Sequence, residues 1–408
     1  MTTLRVLTLN CWGVFIPGTV KYRRERIEAI AEDISQQHYD IVVLCEVWLK
    51  SDYQRLCKKL IPRMPHSHYF YSGAIGSGVC MFSVHPMIET VFHQFSLNGF
   101  AHKPYHGDWF GGKGVGLCKF NVNGLTVNVY GSHFHAEYRR DHDEYLAHRV
   151  AQAFQISQFV RLTSEACDLV LLGGDLNVEP VDLGYKLIRT NAHLLDCWLD
   201  KKRTSGYEHG NTDEVPSNSF SSPQPGYPDG KRIDYWLYRP SPNKSVSVEE
   251  CSVIMNKIPG RSYNFSDHEA VLAVLRLETG DSAESAESRD ARLSERDNLL
   301  GIALTELERG QKQTESDKSF FQVQVLVLSV LLYLLETSGG LVPSAPLLLS
   351  LVKLLLIIAI AVCAWTGFIV KRIEVHGLQT VAADVVNLIE SSARSKVKPE
   401  ITEPHVLT

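Results

Sequence analysis

Four apolar runs in this chain end in side chains able to bind a metal or move a proton. Leu4 to Leu9 ends at Asn10, Ile41 to Cys45 at Glu46, and Leu125 to Tyr130 leads to His133; Leu169 to Leu172 leads through Gly173 and Gly174 to Asp175 and Asn177. Polar groups are costly at the rim of a packed sheet, so their repetition at strand ends implies convergence on one site. Asn10 and Glu46 are hard oxygen donors, one neutral and one anionic. That suits Mg2+, which keeps several waters and uses one or two carboxylates beside a substrate phosphate. Neither residue is specific alone: an Asn after a strand is usually a turn former, and a Glu after a strand usually a solvated surface charge. The two glycines imply a sharp turn, after which Asp175 and Asn177, two apart, face one side of an extended segment.

Two further segments complete the set. Arg232-Ile233-Asp234-Tyr235 opens an apolar run, and Ser266-Asp267-His268 precedes another, Ala270 to Leu275. Asp234 and His268 are candidates to pair, because a carboxylate on an imidazole fixes its tautomer and raises its basicity, as a base activating water requires. His133 is better suited to stabilising a phosphoryl oxygen. Of the 16 histidines, His135, His142, His148 and His209 have no comparable context and read as surface or core residues.

The elements that must carry these groups are legible as an α/β domain over residues 1–278, with helical periods near 21–37, 51–61 and 140–163 alternating with strand-like runs. A net charge of -5 gives no electrostatic footprint for a polyanion such as DNA, so no nucleic-acid partner is expected. Lys21 to Arg26 and Lys201 to Arg203 read as solvated faces. The nine cysteines are odd in number and lack paired spacing, which reads as reduced thiols in a cytosolic domain rather than disulfides or zinc ligands. The N-terminus runs directly into a strand, and a secretory signal peptide is not expected.

From 279 to 298 the composition turns polar and reads as a linker. Residues 299–319 carry an amphipathic stretch, Leu299, Leu300, Ile302, Ala303, Leu304 and Leu307, able to lie on a membrane or to pack on the catalytic domain. Between 320 and 370 stand two apolar segments, Phe320 to Leu335 and Pro346 to Val370, whose lengths bracket a bilayer span; the first is short for a span of about 20 residues, with a re-entrant or interfacial hairpin as the alternative. Arg309, Lys312 and Lys318 precede the first, Lys371 and Arg372 follow the second, and Glu336 to Ala345 lacks Lys and Arg. Positive flanks stay cytosolic, so the expectation is an integral-membrane hairpin with the catalytic domain, both termini and the 371–408 tail in the cytosol.

Taken together, Leu9-Asn10-Cys11-Trp12-Gly13, Cys45-Glu46-Val47-Trp48, Gly174-Asp175-Leu176-Asn177, Arg232-Ile233-Asp234-Tyr235 and Ser266-Asp267-His268-Glu269 resemble, in order, the motifs of the endonuclease/exonuclease/phosphatase superfamily with its DNase I-like fold. Gly73 to Val79, His106 to Lys113 and His133 to Glu137 narrow the resemblance to neutral sphingomyelinases with two C-terminal membrane segments. The resemblance implies a four-layer α-β-β-α sandwich followed by a transmembrane helical hairpin, and Mg2+-dependent hydrolysis of bilayer sphingomyelin to ceramide and phosphocholine, on the endoplasmic reticulum or another intracellular membrane. It implies that Glu46 and Asn10 hold or adjoin Mg2+, Asp175 and Asn177 orient water and phosphate, His268 is general base oriented by Asp234, His133 binds the phosphate, and Asp267 completes the metal side. Asp108 and Lys113 resemble a pair whose contact reports an assembled site, and Lys113 and Trp109 join the substrate-binding set, Trp109 as a face for the quaternary ammonium. One departure stands out: no acid near Val79 to Phe82 supports His133, which leaves Asp108 as a substitute. A choline lysophospholipase C, a nuclease and a silent membrane scaffold are the rival readings.

Overall fold

The computed structural model describes residues 1–16, 18–205, 209–222, 227–280, 284–337 and 346–396, in two compact units, Met1–Asp290 and Ala291–Thr408.

In the first unit the chain runs β1 (Thr2–Asn10), α1 (Arg23–Gln36), β2 (Ile41–Cys45), α2 (Lys50–Leu60), β3 (His66–Tyr69), β4 (Cys80–Ser83), β5 (Met87–Gln94), β6 (Gly114–Val122) and β7 (Leu125–His133). It continues through α3 (Leu146–Thr163), β8 (Leu169–Asp175), α4 (Leu183–Ala192), β9 (Leu195–Asp196), α5 (Cys197–Asp200), β10 (Asp234–Pro240), β11 (Lys244–Ile254) and β12 (Ala270–Thr279). Two six-stranded sheets form, in the orders β11-β12-β1-β2-β4-β3 and β5-β6-β7-β8-β10-β9. Alternation along β1 shows how they stack. Leu4 and Val6 join Val129, Leu171 and Trp236 in the core between the sheets. Leu7 and Leu9 face the other way, onto Ile27, Ile30 and Leu56 of α1 and α2. With α3 packed on α4 and against β6 on the far side, this is the expected four-layer sandwich.

Topology explains why chemistry gathers at one edge. Each sheet holds one parallel pair: β1 beside β2, with Asn10 opposite Cys45, and β7 beside β8, with His133 opposite Asp175. Parallel neighbours end on the same side. The antiparallel strands β10 and β12 begin where those pairs end, Asp234 lying opposite Asp175 and Val271 opposite Thr8. Four strand exits and two strand starts therefore share one rim.

Three sequence expectations change here. Gly173 and Gly174 lie inside β8 rather than in a turn; a Cβ on Gly173 would meet the Trp236 indole, and one on Gly174 the Ser132 carbonyl, so both permit close packing. The helix expected from 140 starts at Leu146, leaving Arg139 to Asp143 in the preceding loop. Arg26 is buried, not solvated.

The helix α6 (Ala286–Thr337), all but its first residues in the second unit, begins inside the stretch expected to be a linker, of which 281–283 lie outside the described residues. It is followed by α7 (Pro346–Ala364), a π-helical turn at Trp365–Val370 and α8 (Lys371–Lys396). Polar pairs tie these helices antiparallel: Asp297 with Ser392, Thr314 with Glu374, Asp317 with Lys371, and Glu336 with Lys353. At the same levels Leu307 and Ala303 are buried on α6, and Val381 and Val385 on α8. The amphipathic stretch thus lies opposite an apolar stripe of the tail helix. Phe320 to Leu334 and Leu347 to Ile369 expose large apolar side chains, and both helices are long and apolar enough to be candidate membrane spans. The connection 338–345 and the tail 397–408 lie outside the described residues.

Candidate active site

The strand exits on the shared rim have a common geometry. Asn10 Oδ1 accepts a hydrogen bond from the Trp12 amide and Asp175 Oδ1 one from the Asn177 amide, at 3.0 Å each. Trp12 and Asn177 both take a left-handed backbone, as does Glu46 at the exit of β2. Such conformations cost about 1–3 kcal/mol each and persist where surrounding contacts over-determine them. Arg26 supplies such contacts at the β1 exit. Its guanidinium donates to the carbonyls of Cys11 (2.8 Å), Trp12 (2.7 Å) and Phe265 (3.1 Å), tying the β1 exit to the segment that carries Asp267 and His268.

All of these ends open on one cavity of about 660 Å³, whose polar lining includes Asn10, Glu46, His133, Asp175, Asp267 and His268. Within it His268 Nδ1 stands 2.9 Å from Asp234 Oδ2. The same oxygen accepts from Thr212 Oγ1 at 2.6 Å, and Thr212 is fully buried. On the other side of the ring, Nε2 lies 3.8 Å from Asp213 Oδ1. Burial opposes charge on His268, yet Asp234 and Asp213 outweigh it and lift its pKa well above the imidazole range. The expected dyad is in place.

Asn10 bridges the two sheets. Its Nδ2 donates to Glu46 Oε1 (3.1 Å) and to Asp175 Oδ2 (2.9 Å), while its Oδ1 is taken by Trp12. Both Nδ2 hydrogens are committed, but Oδ1 keeps a second lone pair beside the Glu46 carboxylate, so Glu46 and Asn10 are the residues able to hold or adjoin a metal ion. The surrounding charge fits a hard cation. Burial raises the Asp175 carboxyl, with Asp234 adding to the effect against His268. Asp267 is pushed up to about 7 by burial, with Glu46 and Asp213 adding to it against His268 and Arg26. The pocket's two lysines are already neutralised, Lys113 by Asp108 and Lys231 by Glu214. Carboxylates crowded this way call for a divalent cation. Asp175, Asp234 and His268 also bring ligand atoms within 4.8 Å of one another, but there the hydrogen bond of the dyad competes with a metal.

His133 is buried, and the substitution of support expected from Asp108 does not occur. Lys113 Nζ lies 3.1 Å from His133 Nε2, and among the described residues Nδ1 has no partner. Burial and the Lys113 charge hold His133 well below its usual range. Asp108 instead pairs with Lys113 at 2.5 Å and accepts from Tyr138, with His135 Nε2 at 3.7 Å. This pair is buried, not a solvated loop contact. Trp109 is the one expected substrate residue that the fold turns away. It is partly exposed and sits edge-on to Phe110, and Phe110 lines the cavity in its place.

The family model described as Endonuclease/Exonuclease/phosphatase family matches residues 7–268, from β1 to the dyad histidine. Sphingomyelin phosphodiesterase 2 of Homo sapiens is 37% identical over 396 residues, 95% of this chain and 91% of the human one. The chain belongs to the neutral sphingomyelinase branch of the endonuclease/exonuclease/phosphatase family. Among these relatives, an inositol phosphosphingolipids phospholipase C of Schizosaccharomyces pombe is 31% identical over 295 residues, 67% of this chain and 68% of that one. A beta toxin of Staphylococcus aureus with bound magnesium ions shares the fold at 23% identity and a TM-score of 0.52, over 67% of this chain and 99% of that chain.

Four residues of this sphingomyelinase-family site escaped the sequence reading. Arg26 and His135 were taken as surface or unremarkable positions; Thr212 and Asp213 lie in a polar loop with no periodic signal. Only their hydrogen bonds and distances across the fold reveal them.

Proposed function

We propose that the chain is a membrane-anchored, Mg2+-dependent sphingomyelin phosphodiesterase that releases phosphocholine and leaves ceramide. The observation that carries this reading is the Asp234–His268 dyad facing Glu46, Asn10 and Asp175 across one cavity. Asp234 holds Nδ1 of His268 and leaves Nε2 for the attacking water; with the charge of the surrounding carboxylates offset by a bound cation, the imidazole would be free to take the water's proton at Nε2. Asp175 and Asn177 orient water and phosphate, and Lys113 with His133 meets the developing phosphoryl charge. Glu46 would hold the Mg2+, with Asn10 and Asp267 adjoining; the ion supplies charge stabilisation to the phosphoryl oxygens. The two apolar helices would span a cytoplasm-facing membrane such as the endoplasmic reticulum, with both termini cytosolic, and the anchor keeps the site at the surface where its substrate is concentrated.

The test is phosphocholine release from sphingomyelin in mixed micelles, with Mg2+ or with EDTA, for wild type and His268→Ala. Metal-dependent cleavage abolished in the variant supports the reading. Faster turnover of lysophosphatidylcholine, cleavage of inositol phosphosphingolipid alone, or nicking of plasmid DNA would overturn the substrate assignment, and silence on every substrate would favour a scaffold.

A further inference from the structure

The cavity has two kinds of wall. Its floor is charged, but Phe15 and Ile16, on the loop after β1, and Tyr105, on the loop between β5 and β6, also line it. These side chains are 41%, 50% and 75% exposed. A residue that both lines a cavity and faces solvent stands at the mouth, so two loops distant in sequence place large apolar groups on one rim. Single exposed apolar side chains are ordinary on any protein. Apolar groups gathered from separate loops around the entrance of a charged pocket mark a docking surface.

We infer that Phe15, Ile16 and Tyr105 form a lip that enters the bilayer interface, so that a lipid can move from membrane to pocket without its chains crossing water. The inference rests on the sphingomyelinase reading above. A phosphodiester inside a headgroup layer lies at the surface of the membrane, whereas Asp175 and His268 are buried at the cavity floor. The rim must therefore approach the acyl boundary for the phosphate to reach the floor. Aromatic and aliphatic side chains are suited to that depth: the phenol of Tyr105 remains among headgroups while its ring, Phe15 and Ile16 pass into the apolar layer. The anchor confines the protein to a membrane; the lip orients the pocket toward it.

The test uses full-length protein in phosphatidylcholine vesicles containing sphingomyelin, and compares wild type with Phe15→Ser/Ile16→Ser/Tyr105→Ser. Turnover is measured on the vesicular lipid and on water-soluble p-nitrophenylphosphocholine. The expected result is a fall of about tenfold or more on vesicles, given the apolar burial lost, with the soluble ester turned over as in wild type. A second variant, Phe15→Trp/Ile16→Leu/Tyr105→Trp, should keep vesicle turnover. Equal vesicle turnover in wild type and the serine variant would overturn the lip, as would an equal loss on both substrates, which would place these residues in the site or the fold. Turnover that rises with protein density on both substrates, in wild type alone, would assign the rim to a second copy of the chain and overturn the bilayer contact. A wild type active on the soluble ester but inert on sphingomyelin vesicles would overturn the sphingomyelinase reading, and the lip with it.

Discussion

Replacing Asp108 by alanine removes the carboxylate from a buried ion pair and leaves Lys113, 2% exposed, with its charge uncompensated. Breaking a buried pair in this way costs about 3–5 kcal/mol, because the remaining ion stays desolvated. The Phe134 carbonyl, 2.7 Å from Lys113 Nζ, recovers only part of that. At roughly 2–4 °C per kcal/mol for a large domain, the catalytic unit should melt on the order of 10 °C lower. The Lys113 ammonium is also freed to move against His133 Nε2, and turnover should fall about a hundredfold, as when one preorganised donor is lost. Asp108→Ala/Lys113→Met removes both charges, so it should melt higher than Asp108→Ala while remaining inactive. Scanning calorimetry in detergent and phosphocholine release measure the two effects. The pH dependence has a definite sign. Burial would raise the Asp108 carboxyl, but Lys113, His135 and Tyr138 outweigh it and hold it below its ordinary value of 3.8. Its stabilisation is therefore complete above that value and is lost only as pH falls toward the depressed folded pKa. The melting difference between wild type and Asp108→Ala should be the same at pH 6 and pH 8. A single variant that melts like wild type, or a double variant no more stable than the single, would refute the claim that the pair is a desolvated, coupled unit.

Thr212→Val keeps the shape but removes the donor to Asp234 Oδ2. It should lower kcat about tenfold and shift the acid limb of the pH profile, with Thr212→Ser restoring both. His135 is held at about 3, chiefly by burial, against an ordinary value of 6.5. Between these values the unfolded chain takes up a proton that the folded one refuses, so stability should fall by up to about 1.4 kcal/mol per pH unit below 6.5; His135→Gln should flatten that slope in urea titrations. Arg26→Met strips the guanidinium from three site-loop carbonyls. A loss of about 3 kcal/mol or more is expected in calorimetry, with Arg26→Lys recovering only part, because an ammonium cannot reproduce the planar fork.

The difference between what the chain reveals as sequence and what needs the fold lies in the range of each interaction. Strand ends were legible because apolar runs, some alternating and some continuous, stop at or just before Asn10, Glu46, His133 and Asp175, and each stop is a local event. Which ends face one another is not local. Asn10 meets Asp175 across 165 positions, and that meeting depends on two parallel strand pairs packed face to face. The Asp234–His268 pair was accessible only as a match of chemical types. The misread residues failed for the same physical reason in different forms. Gly173 and Gly174 carry a turn propensity that the Trp236 indole and the Ser132 backbone override. Arg26 belongs to a basic cluster by sequence, yet the β1 exit and the segment before Asp267 turn the carbonyls of Cys11, Trp12 and Phe265 toward it, and only a long planar donor can satisfy several at once. His135 follows His133 by two places, but the Asp108 carboxylate beside it is brought there by a glycine-rich loop 27 positions earlier. The polar stretch of α6 before Leu299 has no apolar period of its own, and the helix is matched by α8, as the pairing of Asp297 with Ser392 shows. Local sequence therefore specifies which groups stand at the rim, while the rim's charge balance, and with it the capacity to do phosphodiester chemistry, arises from contacts between segments that propensity cannot see.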